Sequence, residues 1–362
     1  MPLLSMAPPL APSFPRLPLA PLPLPPAMIS LPDRAPPPPP QQLVVRQSGG
    51  KQKAVVVLGA TGTGKSRLAI DLALRFGGEV INADKMQLYA GLDVATNKVT
   101  PRECSGVPHH LLGVVGCPDD DFSAHDFRRE AGRAAASVAA RGRVPVLAGG
   151  SNSYVEELVD GEGAAFRERF ELCFLWVDVQ LPVLKGFVSR RVDDMVRRGL
   201  VREVAAAVDP ERVDYSRGLW RAIGVPELDA YLRQLRAGAG EDEGLLEAAV
   251  EEIKGNTCAL AARQRGKIQR LARMWRGVRR VDATEVFVQQ QRSGGRRGAD
   301  EAWQRLVAGP CFDAVRAFLM EEQECSFIPG ASAGAKVPVF ASGNASSSVF
   351  AASPAAVATA VV

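Results

Sequence analysis

Ala54-Val55-Val56-Val57-Leu58-Gly59-Ala60-Thr61-Gly62-Thr63-Gly64-Lys65-Ser66 is the stretch that decides the fold of this chain. Its first five residues are apolar and rich in β-branched valine, the make-up of a buried strand. Its last eight match G-x-x-x-x-G-K-[ST], and the following Arg67-Leu68-Ala69-Ile70-Asp71-Leu72-Ala73-Leu74 carries apolar residues at helical spacing. Strand, glycine-rich loop and helix form the context in which this motif carries chemistry. The glycines let backbone N–H groups turn inward at a helix N-terminus and cradle phosphate oxygens. Gly59, Ala60, Thr61, Gly62, Thr63, Gly64, Lys65 and Ser66 are therefore assigned to a diphosphate. Lys65 supplies a point charge, and the Ser66 hydroxyl is placed to hold Mg²⁺.

The loop alone does not say which diphosphate, because many activities share it. A regulatory GTPase needs N-K-x-D, and the only candidate, Asn97-Lys98-Val99-Thr100, lacks the aspartate. A motor ATPase needs an apolar strand that ends in an acidic pair. Cys173-Phe174-Leu175-Trp176-Val177-Asp178 offers one carboxylate, and Val144-Pro145-Val146-Leu147-Ala148 runs into Gly149-Gly150 with none. Kinases and group transferases remain.

A second strand ends at Asp84 within Glu79-Val80-Ile81-Asn82-Ala83-Asp84-Lys85-Met86-Gln87-Leu88-Tyr89. A carboxylate at the carboxyl edge of a parallel sheet sits where such folds place ligands, and it can take a proton from a nucleophile beside the phosphates. The alternative for Asp84 is a helix cap. Gln87 carries a donor and an acceptor with which to read a base edge.

The chain resembles the isopentenyltransferase family, which moves a dimethylallyl group onto the N6 amine of adenine. The matching pieces lie in order: GATGTGKS at 59–66, INADKMQLYAGLDVATNK at 81–98, GVPHHLLG at 106–113, DFSAHDF at 121–127 and VPVLAGGSNSYVEEL at 144–158. They continue with CFLWVDVQLPVL at 173–184, RRVDDMVRRGLVREV at 190–204, RAIGVPELDAYL at 221–232 and EEIKGNTCALAARQ at 251–264. The resemblance covers roughly residues 54 to 320. It implies an α/β fold, a P-loop NTPase-like parallel sheet flanked by helices with a helical elaboration. Within the family, Gly149-Gly150-Ser151-Asn152-Ser153-Tyr154 looks like the plant branch that uses free adenine nucleotides. The tRNA branch generally has threonine after the two glycines, and its eukaryotic members add a C-terminal Cys2His2 zinc module. The three histidines here are His109, His110 and His125, so that module is missing.

The resemblance implies dimethylallyl diphosphate as donor, ADP or ATP as acceptor with AMP open, and Mg²⁺ as cofactor; tRNA is the disfavoured acceptor. Lys65, Thr61 and the loop N–H groups then stabilise the departing diphosphate, and Asp84 takes the N6 proton. Acceptor contacts are expected from Asp84, Gln87, Lys98, Ser151, Asn152, Arg191 and Arg221. For Arg190, Arg191, Arg221 and Lys254, ordinary surface charge is the competing reading. The basic run Arg263 to Arg280 suits nucleic acid, polyphosphate or a plain charged helix face. A tRNA-modifying transferase, a small-molecule kinase and a non-catalytic nucleotide-binding regulator stay as rivals.

The 362 residues carry a net charge of +4 and are 46% hydrophobic, which suits one α/β domain and is too weakly basic to argue a nucleic-acid partner. The six cysteines are scattered without a C-x-x-C pair, as reduced thiols are. No apolar run reaches membrane-spanning length, and no obligate protein partner is inferred. Three segments are expected: a Pro-rich leader at 1–50, acid-poor as in a transit peptide; a catalytic domain at 51–325; and a low-complexity tail at 326–362. The resemblance points the leader to plastids, with the cytosol as the alternative. Strands are expected near 54–58, 79–82, 144–148 and 173–179, and helices near 65–76, 124–140, 184–206 and 245–277. Residues 165–172 and 208–245 read as irregular connections, and Gln289 to Gly298 as a surface loop.

Overall fold

The computed structural model describes residues 50–292 and 296–321. Strand β1 (Gln52–Gly59) is apolar on both faces, as a central strand covered on each side must be. Helix α1 (Lys65–Phe76) follows the phosphate loop, then come β2 (Glu79–Asn82), a single turn α2 (Pro101–Cys104) and the two-residue β3 (His109–His110). The next elements are α3 (Ala124–Ala140), β4 (Pro145–Ala148), α4 (Asn152–Asp160), α5 (Ala165–Arg169) and β5 (Phe170–Asp178). A helical part follows: α6 (Leu181–Arg197), α7 (Leu200–Ala207), α8 (Asp229–Arg236) and α9 (Glu243–Met274). Strand β6 (Arg279–Asp282) returns to the sheet, and α10 (Thr284–Arg292), α11 (Arg296–Trp303) and α12 (Gly309–Met320) close the described chain.

The six strands are parallel and ordered β3-β2-β4-β1-β5-β6. Because strand side chains alternate, β1 feeds two cores. Ala54, Val56 and Leu58 pack on the face with Phe127 and Tyr154 of α3 and α4. Val55 and Val57 pack on the opposite face with Leu68 and Leu72 of α1, Val188 of α6 and Trp303. Helix α9 buries Ala249, Ile253, Thr257, Ala261, Gln264, Ile268 and Leu271, a single stripe at three- and four-residue spacing.

The expected strands and the helices at 65–76 and 124–140 are present. Four expectations need correction. The helix expected over 184–206 is two, α6 and α7, because Gly199 turns left-handed at φ 99°. Residues 165–172 are regular: the Phe166 and Phe170 rings meet at 4.7 Å, tilted by 31°, and that contact joins α5 to the start of β5. The connection at 208–245 contains α8. Gln289 to Arg292 continue α10 and Arg296 to Gly298 open α11, since glutamine and arginine support helix well. The expected leader up to residue 49, the tip at 293–295 and the tail from 326 lie outside the described residues. Among the described residues no helix is long and apolar enough to cross a membrane.

The exits of β2 and β4 are stitched together. Ala83 N–H donates to the Ala148 carbonyl at 2.8 Å, and Ser151 N–H donates to the Ala83 carbonyl at 3.1 Å. This approach needs glycine at 149, where an added Cβ would lie 2.0 Å from the Ala83 carbonyl carbon. Gly149→Ala is expected to cost about 2 kcal/mol or more of stability by overpacking against backbone. A denaturant midpoint indistinguishable from the parent would refute this.

Candidate active site

A cavity of about 660 Å³ opens over the carboxyl ends of β1 and β2. Its floor is the phosphate loop, contributed through Thr61, Gly62, Gly64, Lys65 and Ser66, together with Asp84. Gly62 and Gly64 hold φ of 85° and 88°, so the motif glycines are there for conformations other residues avoid. Thr63 turns inward, and its hydroxyl donates to the Ala60 carbonyl at 2.9 Å. The loop is thus fixed before any ligand arrives.

Lys65 is 8% exposed, and its Nζ donates to the Ala60 carbonyl at 3.3 Å. Burial pulls its pKa down to about 8; the Asp84 charge acts against that shift and Arg191 acts with it. Arg191, from α6, donates from Nη2 to the Thr61 hydroxyl at 2.8 Å, and its buried Nε has no partner among the described residues. Burial lowers its pKa to about 10, against the pull of Asp84. Two desolvated cations beside one carboxylate leave this floor electropositive, the setting an anion would relieve.

Asp84 lines the cavity, and its Oδ1 accepts the Met86 N–H two residues on at 3.2 Å; the helix-cap alternative does not hold, because the turn at Met86–Leu88 has Lys85 at its N-cap and no side-chain cap. Asn82 steadies it: Oδ1 accepts the Asp84 N–H at 3.2 Å, and Nδ2 donates to the Leu111 carbonyl at 2.9 Å. Gln87 lines the cavity too, with Nε2 donating to the Thr96 and Asn97 carbonyls at 3.2 Å each. Its donor capacity therefore shapes the wall at 95–97. Both Glu203 oxygens hold that wall from α7, accepting the Val94 and Ala95 N–H groups at 2.9 and 2.8 Å.

Three expected acceptor contacts do not line the cavity. Lys98 is turned into its own loop, donating to the Gly91 carbonyl at 2.5 Å and paired with Asp93 at 3.0 Å. The Ser151 hydroxyl accepts the Lys85 N–H at 2.8 Å, and Asn152 donates to the Gln264 carbonyl at 3.1 Å. Ser151 and Asn152 brace the wall from behind. Arg191 and Arg221 do reach the cavity, Arg221 with Asp121 at 3.3 Å. Lys254 is paired with Asp193 and Glu251 at 2.8 and 2.7 Å and stands outside it. In the basic run, Arg263 lines the cavity, and Arg265 clamps Asp178 at 2.8 and 3.0 Å.

Gln264 and the apolar wall of Phe187, Leu260, Val286, Phe287 and Trp303 are not among the residues the sequence singles out. Gln264 had a readable signal, being a polar residue within the apolar stripe of α9. Trp303 had none: it lies across Gly64 from far along the chain, held by a 2.9 Å bond from Nε1 to Asp71 and by Arg67 stacked at 4.6 Å.

A protein-family model described as IPP transferase matches residues 87–169 and 162–270. Adenylate isopentenyltransferase 5, chloroplastic, of Arabidopsis thaliana is 58% identical over 272 residues, which is 74% of this chain and 80% of the relative. The chain belongs to the IPP transferase family. Adenylate isopentenyltransferase 3, chloroplastic, of the same plant is 52% identical over the same shares. The tRNA isopentenylpyrophosphate transferase of Bacillus halodurans has a solved structure with TM-score 0.58 and 25% identity, covering 76% of this chain and 99% of that one.

Transferases of this family generally use a divalent metal. The donor set fits an ion carried with its ligand. Among the described residues no three His, Cys, Asp or Glu side chains group to hold a metal, while Ser66 lines the cavity. Asp178 is unsuited, its oxygens being taken by Arg265 and Arg280.

The depressed Lys65 has a measurable consequence. A bound anion raises the pKa of Lys65 from about 8, so binding of inorganic diphosphate takes up a proton at pH 8.5, and affinity falls as the pH rises through 8. Calorimetry in two buffers of different ionisation enthalpy should find that uptake, reduced in Lys65→Arg, whose guanidinium stays charged. Equal uptake in both proteins would locate the proton elsewhere.

Proposed function

We propose that this protein transfers the dimethylallyl group of dimethylallyl diphosphate to N6 of the adenine of ADP or ATP, the first step of cytokinin synthesis. The observation that carries the reading is that the phosphate loop and the Asp84 carboxylate face one cavity, in a chain closely similar to adenylate isopentenyltransferases. Donor and base are thereby side by side. The leader reading and the chloroplastic relatives support a plastid destination.

In this mechanism the C1–O bond of the donor breaks and the diphosphate leaves with the electron pair. N6 of adenine forms the new bond to C1, and its proton passes to the Asp84 carboxylate. Lys65 and the loop N–H groups neutralise charge on the departing diphosphate, where low dielectric makes each contact strong. Arg191 donates to the Thr61 oxygen, which leaves the Thr61 proton free to point at the leaving oxygen. Ser66 would hold Mg²⁺, which would supply Lewis-acid stabilisation of the same charge. The apolar wall of Phe187, Phe287 and Trp303 suits the hydrocarbon chain and keeps water from the allylic cation. On the acceptor side, Gln87 and Arg221 are the cavity-lining candidates for base and phosphate contacts.

Offered dimethylallyl diphosphate and Mg²⁺, the full chain should prenylate ADP or ATP and leave unmodified tRNA untouched; prenylated tRNA would reverse the acceptor assignment. Asp84→Asn should still bind donor while its turnover falls by roughly 10²–10⁴, the range of general-base catalysis. Turnover within a few-fold of the parent would remove Asp84 from that role.

A further inference from the structure

Gln264 touches both halves of the reaction centre from outside the phosphate-loop motif. It lies on the buried stripe of α9 and is 8% exposed. Its Oε1 accepts the Thr61 N–H at 2.7 Å, inside the diphosphate cradle. Its Nε2 donates to the Gly150 carbonyl at 2.8 Å, on the turn that follows β4. Its own carbonyl accepts Asn152 Nδ2 at 3.1 Å, so the bridge is anchored in main chain as well.

The Gly150 turn also lies against the base. A Cβ built on Gly150 would meet Gln264 Nε2 at 2.6 Å and Asp84 Oδ2 at 3.0 Å. One planar amide thus runs between the loop that holds the leaving group and the turn that backs the proton acceptor. Planarity matters here: an amide has one acceptor end and one donor end at fixed separation, and each meets the complementary backbone group. The Thr61 N–H is thereby committed to Gln264. The Thr61 hydroxyl accepts from Arg191, so the residue is held at its N–H and at its side chain.

We propose that Gln264 is a positioning residue that sets the phosphate loop in register with Asp84, so that the leaving group and the proton acceptor are correctly spaced. This role rests on the transferase reading above. Displacements of about an ångström at remote supports can cost roughly 10²-fold in rate, because only the aligned geometry reacts. A half-buried N–H and a buried carbonyl left without partners would drive such a displacement.

The test uses the full chain with three substitutions. Gln264→Met keeps length and loses both hydrogen bonds. Gln264→Glu keeps the acceptor for Thr61 N–H and loses the donor to Gly150. Gln264→Asn keeps the amide on a stem one methylene shorter. Thermal midpoints establish folding, steady-state kinetics with dimethylallyl diphosphate and ADP give kcat and KM, and calorimetry gives inorganic diphosphate affinity. For Gln264→Met we expect kcat down about tenfold to hundredfold, with KM for ADP changed under about threefold. Gln264→Glu should hold diphosphate less tightly than the parent, because a second carboxylate offsets the cations of the floor, and should still show depressed kcat. Gln264→Asn should resemble Gln264→Met in kcat, because its amide cannot span the gap. A folded Gln264→Met with kcat within about twofold of the parent, or loss confined to KM, overturns the proposal. If Gln264→Met fails to fold, Gln264→Asn takes its place, and full parental kcat there overturns the proposal. Should the parent protein itself transfer no prenyl group, the transferase reading fails separately. Gln264 is then judged by diphosphate affinity, where equality of parent and Gln264→Met refutes the bridge.

Discussion

Two cations, the buried Lys65 and the half-buried Arg191, stand beside a single carboxylate, Asp84, and the rest of the structure is arranged so that this imbalance persists. Desolvating a positive charge is costly, and the lowered pKa values of Lys65 and Arg191 record that cost. It is tolerable because a polyanionic ligand relieves it. A floor already electropositive and already immobile does not have to reorganise when charge builds on a leaving diphosphate. Asp84 partly offsets the cations from the same edge of the sheet, where the proposed mechanism gives it the N6 proton.

The scaffold that enforces this arrangement is the parallel sheet. Parallel strands bring their carboxyl ends to one edge, so the exits of β1, β2 and β4 meet there although their residues are scattered along the chain. Hydrogen bonds between Ala83, Ala148 and Ser151 lock two of these exits together, and Gly149 permits the approach. Helix α6 brings Arg191 and Phe187, and α9 brings Gln264, from the helical part. α11 closes the apolar side with Trp303, whose ring lies over Gly64. The result is one cavity with a polar floor and an apolar wall, which matches a substrate that is a diphosphate at one end and a hydrocarbon at the other.

Much of the phosphate site is legible in the sequence because its signal is local. The conformations of Gly62 and Gly64, the strand before them and the helix after them all follow from the twenty-one consecutive residues 54–74. Asp84 is legible for a related reason, standing directly after an apolar strand. Lys98, Ser151 and Asn152 are not, because sequence proximity to a wall does not say which face a side chain takes. Each bonds the backbone or side chains behind the cavity. The boundary between α5 and β5 is hidden by the charged run Arg167-Glu168-Arg169, since the Phe166–Phe170 contact that fixes it depends on folded geometry.

By itself, then, the sequence determined the α/β class, the glycine-rich loop between strand and helix, the strand-end carboxylate and the family to which these belong. Local backbone preference and periodicity write such features into neighbouring residues. Only the tertiary structure decided that Arg191 meets Thr61, that Gln264 spans the phosphate loop and the Gly150 turn, and that Trp303 covers Gly64. The three hydrogen bonds among these contacts join residues 130, 203 and 114 positions apart. Contacts of that span come from the packing of whole helices against the sheet, which no short window of residues encodes.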